Sequence, residues 1–276
     1  MGNALSKQTS VSVWAITSLR FLITSTIVAF ITRREIGKLF SKENLKLHML
    51  SVLFLLRSAA IVTGFQLTAF AKPLAIVLTW PIMFALLSVA FLGTKLNFIC
   101  SASLALSAVG MFCILGDPLL LAPGENFLGY GLMFVGAIIT ASEMVLNRRA
   151  IDKQGAIKVL FYSTFLAGLI TVPTLGSFMD EFGTRSGSIG LLICALYIIG
   201  TFVFYLALED STPISTAVFS YLEVPSNALI ALYFFNEDFS VRSVTGIVLI
   251  LTGALLVSTE QARTDRRASS LRSHGS

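Results

Sequence analysis

Residues 47–92 read LHMLSVLFLLRSAAIVTGFQLTAFAKPLAIVLTWPIMFALLSVAFL, and only Arg57 and Lys72 carry a full charge in this stretch. A helix needs about 20 apolar residues to cross the hydrocarbon core of a bilayer, so there is room here for two crossings. Lys72-Pro73 marks the division. Proline lacks a backbone N–H and disfavours helix at the residue before it. The stretch therefore reads as two spans, 47–71 and 73–92. Outward from this pair the chain offers seven more apolar segments, at 11–32, 97–115, 126–146, 158–178, 188–208, 214–235 and 241–259. None alternates as an outer-membrane barrel strand does, and helices are the remaining way to satisfy backbone polar groups in lipid. The expected fold class is an all-α polytopic membrane protein with nine transmembrane helices.

The composition agrees. The 276 residues are 55% hydrophobic and 13% charged, with a mean hydropathy of +0.83. Soluble domains carry about 25% charged residues, so a lipid bilayer is the expected surrounding. The net charge of +5 sits in loops and tail and needs no nucleic-acid partner. Cys100, Cys113 and Cys194 lie in apolar segments without a CxxC pair or a nearby histidine, and read as small apolar residues. His48 reads as an interfacial polar residue at a span entrance, and His274 is isolated. No nucleophile–base pair, metal-ligand cluster or phosphate-binding loop stands out. Neither an enzyme nor a cofactor is expected.

Lysine and arginine set the orientation. With loop 33–46 inside, that side receives fourteen (Arg33, Arg34, Lys38, Lys42, Lys46, Lys95, Arg148, Arg149, Lys153, Lys158, Arg263, Arg266, Arg267 and Arg272). The other side receives four, Lys7, Lys72, Arg185 and Arg242. The positive-inside rule then places the C-terminus in the cytoplasm and the N-terminus outside. Met1–Ser6 fits a myristoylation pattern, which an outward N-terminus cannot use, and no signal peptide precedes the first span. The Arg- and Ser-rich tail 260–276 reads as a disordered cytoplasmic end that can meet anionic lipid.

The two halves share a pattern. Trp80-Pro81, Phe91-Leu92-Gly93 and Val109-Gly110-Met111 recur as Val224-Pro225, Phe234-Phe235-Asn236-Glu237 and Thr252-Gly253-Ala254. Each half runs a proline-bearing span, a short turn and a small-residue span. Many carriers are built from inverted repeats that show such symmetry. Ser103, Ser107 and Gly110 on one span, and Gly246 and Gly253 on another, let helices approach closely. A homodimer through the small-residue last span is one use of that face.

These motifs, with Leu19-Arg20-Phe21 in the first span, resemble the drug/metabolite transporter superfamily of paired EamA domains. Those carriers have ten helices, five per repeat. The resemblance implies a ten-helix inverted-repeat carrier whose first helix this chain lacks. Residues 1–116 would form an incomplete four-helix repeat, 117–259 a complete five-helix repeat and 260–276 the tail. Leu56-Arg57-Ser58, Leu160-Phe161-Tyr162-Ser163, Tyr221-Leu222-Glu223 and Tyr233–Glu237 are most similar to the S-adenosylmethionine uptake carriers of that superfamily. The turn Gly93-Thr94-Lys95 departs from them, because they usually place an acid there.

Three charges fall at mid-span: Arg20, Arg57 and Glu223. Charge at that depth is costly and by default marks function. Arg20 serves a substrate carboxylate or phosphate, or else a structural ion pair. Arg57 suits bidentate recognition of a carboxylate. Glu223, two residues before Pro225, suits a cationic counter-charge or a coupling proton, or a static pair with Arg20 or Arg57. Asn227 lies on the Glu223 face. Trp80, Tyr162 and Tyr205 offer rings for an adenine or a cation, or plain packing, and Tyr221 is a further secondary candidate. Glu143 reads as a helix-end salt bridge to Arg148 and Arg149. The resulting expectation is a secondary carrier of a small metabolite in a bacterial inner membrane, moving it by alternating access, with S-adenosylmethionine uptake or exchange the leading substrate. A coupling proton or an exchanged metabolite would be the second partner. An exporter of amino acids or other metabolites, and a non-transporting truncated or accessory membrane protein, stand as alternatives.

Overall fold

The computed structural model describes residues 12–33, 41, 44–68, 71–115, 127–180, 182–226 and 241–273, with backbone alone at 71–73, 115 and 264–273. Asn227, the turn at 233–237 and the Met1–Ser6 pattern lie outside the described residues. The helices are α1 (Val13–Ile31), α2 (Met49–Leu67), α3 (Ala71–Val77), α4 (Trp80–Leu92), α5 (Phe98–Leu115), α6 (Phe127–Gln154), α7 (Ala156–Thr171), α8 (Gly176–Met179), α9 (Arg185–Asp210), α10 (Pro213–Ser220) and α11 (Val241–Ser273). Seven helical stretches among the described residues are long and apolar enough to span a membrane, and Phe98–Ile114 is a shorter apolar helix. The protein is an all-α, multi-pass membrane protein. The remaining expected crossing, 214–235, begins as α10 and is described only through residue 226.

The helices gather into two units. The first holds α1, α2, α6, α7, α8 and α9, and the second holds α3, α4, α5, α10 and α11. Each unit takes helices from both halves of the chain, so the sequence repeat and the spatial unit are different divisions.

The first unit turns apolar side chains outward and polar ones inward. On α9, Leu192, Leu196, Ile199 and Val203 are exposed, while inside the unit Ser18, Ser51, Ser163, Glu143 and Asn147 are fully buried. A lipid solvent favours this arrangement, because polar groups must find partners within the bundle. Helix α1 packs on α7, and α2 on α6 and α7. Small residues set these approaches: a Cβ on Gly64 would meet the Met133 side chain at 2.9 Å, and one on Gly136 would meet Ile61 at 2.8 Å. Phe21, Phe54 and Ala167 join α1, α2 and α7 in one apolar cluster. Helix α6 runs eight residues beyond its expected end and stops at Gly155, whose φ of 81° is open to glycine. Arg148 near that end donates to the Leu208 and Glu209 carbonyls of α9, and Glu209 accepts from the first N–H of α7.

The second unit is built on close backbone contact. Helices α5 and α11 pack along their lengths. A Cβ on Gly110 would stand 2.6 Å from the Gly246 carbonyl, and one on Gly253 would strike Ser107. The small residues read as a dimer face are therefore used against each other within the chain. Asn97 caps α5 and also donates to Glu260 of α11 at 2.8 Å. Helix α11 continues to Ser273, so the expected disordered tail is helical across most of its length. Glu260, Gln261, Ala262 and Arg263 are strong helix formers and carry the helix onward.

Both proline-bearing spans are interrupted. The expected break at Lys72-Pro73 lies earlier: α2 ends at Leu67, Thr68 is extended, and Pro73 is the third residue of α3. A proline in the first turn forfeits no helical hydrogen bond. A second break falls at Leu78-Thr79, just before Trp80-Pro81. There Thr79 donates to Ile76 and Ile82 to Thr79, both over three residues. Pro81 has no N–H to offer the Val77 carbonyl. The other half repeats this: α10 ends at Ser220, Tyr221 and Leu222 turn, and residues 223–226 are helical again with Pro225 among them. Tyr221, Leu222 and Val224 donate over three residues to Val218, Phe219 and Tyr221.

Candidate functional site

Two side chains on α2 and α6 meet inside the first unit. Arg57 Nη1 lies 3.2 Å from Glu143 Oε2, with Glu143 fully buried and Arg57 17% exposed. That carboxylate oxygen takes no hydrogen bond, so the contact is an ion pair without hydrogen-bond geometry. The other oxygen, Oε1, accepts from Asn147 Nδ2 at 3.2 Å. Asn147 stands one turn on from Glu143, on the same face of α6. Its amide also donates to Tyr205 Oη on α9 at 3.0 Å, and its Oδ1 accepts from Ser163 on α7 at 3.2 Å. One buried polar network thus ties α2, α6, α7 and α9 together.

The helix-end salt bridge expected for Glu143 is overturned by this pairing. Arg148 instead pairs with Asp152 at 3.3 Å and caps α9. The cause is the length of α6, which sets Glu143 eleven residues inside its C-terminal end. The available signal was Glu143 and Asn147 spaced by four in an apolar run, a pattern that puts two polar groups on one face.

Arg20 lies in the same unit. Its guanidinium stands over two rings, Phe21 at 5.0 Å and Tyr197 at 4.7 Å. The Phe21 and Phe54 rings lie tilted with centroids 5.0 Å apart, and Arg57 stands 4.0 Å over Phe54. The two arginines therefore bracket an aromatic pair. Arg20 is half-buried, but its Nε is sealed and has no hydrogen-bond partner. Beside it is a recess with room for about one water-sized group, lined by Thr24, Thr164, Tyr197 and Thr201 among others.

The remaining candidates are elsewhere. Tyr162 is fully buried in the first unit, edge-on to His48 at 5.1 Å. His48, at the entrance to α2, is buried against the rings of Phe161, Tyr162 and Phe165. In the second unit, Trp80 opens α4 and packs near Phe84, and Tyr221 is fully buried at the other break. Glu223 follows that break with an exposed side chain. Among the described residues no three His, Cys, Asp or Glu side chains group as metal ligands.

Comparison with known proteins places this architecture. Residues 127–259 match the EamA-like transporter family. The EamA match spans Glu143, Asn147, Ser163 and Tyr205, four of the five network residues. An S-adenosylmethionine uptake transporter of Rickettsia prowazekii is 27% identical over 130 residues, covering 45% of this chain and 42% of that protein. One from Rickettsia felis is 27% identical over 139 residues, covering 48% and 46%. The matched region thus spans under half the length of these relatives. A solved crystal structure superposes with a TM-score of 0.72 at 20% identity, covering 95% of this chain and 93% of its own, which supports the fold alone. The resemblance to EamA-domain carriers holds.

Proposed function

We propose that this protein is a secondary carrier that moves a small zwitterionic metabolite by alternating access, with S-adenosylmethionine the leading substrate. One observation carries the reading: a membrane-buried Arg57–Glu143 pair, bonded onward to Asn147, Ser163 and Tyr205. Ionisable groups at membrane depth mark substrate or ion pathways, and a bundle needing only stability has little use for a charge pair whose desolvation offsets its attraction. The EamA match over α6, α7 and α9 supports the carrier class, and the names of the rickettsial relatives support the choice of substrate. The interrupted helices support it further. Prolines that interrupt helices at corresponding places in two halves free backbone carbonyls, and carriers use such breaks at substrate and ion sites.

S-adenosylmethionine offers a carboxylate, cationic centres and an adenine. Within the first unit, Arg20 or Arg57 suits the carboxylate and Tyr162 or Tyr205 the adenine; Glu223, in the second unit, is by itself a candidate counter-charge to a cation. A proton or an exchanged metabolite would supply the coupling. The test is uptake of labelled S-adenosylmethionine by bacterial cells expressing the chain, against empty-vector cells with membrane insertion verified. Uptake above background that unlabelled substrate competes away is the expected result. Background uptake by correctly inserted protein would sink the substrate assignment.

A further inference from the structure

The interior of the first unit holds an unbalanced charge. Among its described mid-span side chains there are two half-buried guanidiniums, Arg20 and Arg57, and one fully buried carboxylate, Glu143. Glu143 is committed to Arg57. Among the described residues Arg20 forms no ion pair, and its guanidinium faces the rings of Phe21 and Tyr197. An arginine that faces two rings and, among the described residues, pairs with no carboxylate lacks a counter-anion in a medium where that lack is costly.

The recess stands where such an anion would sit. Arg20 lines it together with Thr24, Thr164 and Thr201, and the Arg20 Nε, closed to solvent, has no hydrogen-bond partner. Thr164 and Thr201 already donate their hydroxyl protons to the Leu160 and Tyr197 carbonyls. Phe21, Phe54 and Tyr197 wall the space with carbon, which strengthens a charge-assisted hydrogen bond by excluding water. The recess is too small for a whole metabolite. It has room for about one oxygen-sized group, such as a single carboxylate oxygen.

We infer that Arg20 and the recess beside it form a carboxylate subsite, which holds the acid end of the carried metabolite and completes the charge of the bundle interior. This deepens the carrier reading and rests on it for the source of the carboxylate. Arg57, held by Glu143 on the far side of the Phe21–Phe54 pair, is then a positioning cation and not the carboxylate receptor.

The test uses the purified full-length chain in detergent and follows its thermal unfolding midpoint. Acetate, the neutral isostere acetamide and chloride are titrated separately, with ionic strength held by a bulky sulfonate salt. Anything that binds only the folded state raises the midpoint in proportion to its saturation. Acetate is expected to raise it saturably, while acetamide and chloride are not. In Arg20→Gln the acetate constant is expected to weaken by at least about tenfold, the worth of one charge-assisted hydrogen bond. Should that variant not fold, Arg20→Lys decides, because it keeps the charge but loses the planar fork. A weakened response supports the subsite and an unchanged one overturns it. An equal response to acetamide or chloride, or a full acetate response in Arg20→Gln, also overturns it. The assay requires no transport. Failed S-adenosylmethionine uptake alongside an intact acetate response removes the substrate and spares the subsite. Uptake with no acetate response does the reverse.

Discussion

The two units solve one problem in opposite ways. The first spends its interior on polar chemistry, with Arg57, Glu143, Asn147, Ser163 and Tyr205 in one network and Arg20 beside it. The second closes α5 on α11 through Gly110, Gly246, Gly253 and Ser107. In lipid there is no hydrophobic force between helices, so association rests on van der Waals contact and interhelical hydrogen bonds. Close backbone packing is the stable choice, and a buried ion pair is weak evidence of stability. A charged interior kept in one unit points to a use other than holding helices together.

Substitutions can break this contrast, and their effects on stability should fall in a set order. Glu143→Gln leaves Arg57 in the interior without its partner. A broken buried pair costs about 3–5 kcal/mol, and the lower end is expected because Arg57 is 17% exposed. A reduced unfolding midpoint in detergent and background-level uptake would report it, whereas a native midpoint would show the pair to be incidental. Next comes Gly253→Val, which forces side-chain atoms into Ser107. Overpacking costs about 1–3 kcal/mol, so the midpoint falls while uptake per folded molecule persists. Uptake lost without a change in the midpoint would assign the seam to transport.

Smaller effects sharpen the comparison. Tyr205→Phe removes an acceptor from the Asn147 amide, which still bonds Glu143. A loss of about 1 kcal/mol is expected, checked by the same melt, and a loss several times larger would mean that the network acts as a single cooperative unit. Glu223→Gln should change stability by less than about 0.5 kcal/mol, since the side chain is exposed. It should nonetheless greatly reduce S-adenosylmethionine uptake at matched membrane levels. Undiminished uptake would end the counter-charge role.

Much of the fold was legible because lipid imposes simple rules. Runs of about 20 apolar residues located the helices, and the small residues Ser103, Ser107, Gly110, Gly246 and Gly253 announced a close helix pair. What they touch was not legible, because spacing gives a face and not its neighbour. The seam faces inward within the chain for that reason. Helix ends were misjudged where polar residues continue a helix, as in α6 after Leu146 and α11 after Thr259. That error hid Glu143, which looked terminal beside Arg148 and Arg149. Arg57 and Arg20 stood out by charge alone, whereas Ser163 and Tyr205 gave no sign of their role. Their hydrogen bonds depend on three helices meeting.

The paired variant Arg57→Gln/Glu143→Gln tests the central claim most directly, with unfolding midpoint and labelled S-adenosylmethionine uptake measured on the same preparation. Removing both charges leaves no orphan, and replacing a buried pair is often neutral for stability. The account predicts that the midpoint recovers towards the native value while uptake stays at background. Recovery of both would contradict it, and would make the pair a structural strut in a bundle whose transport work is done elsewhere.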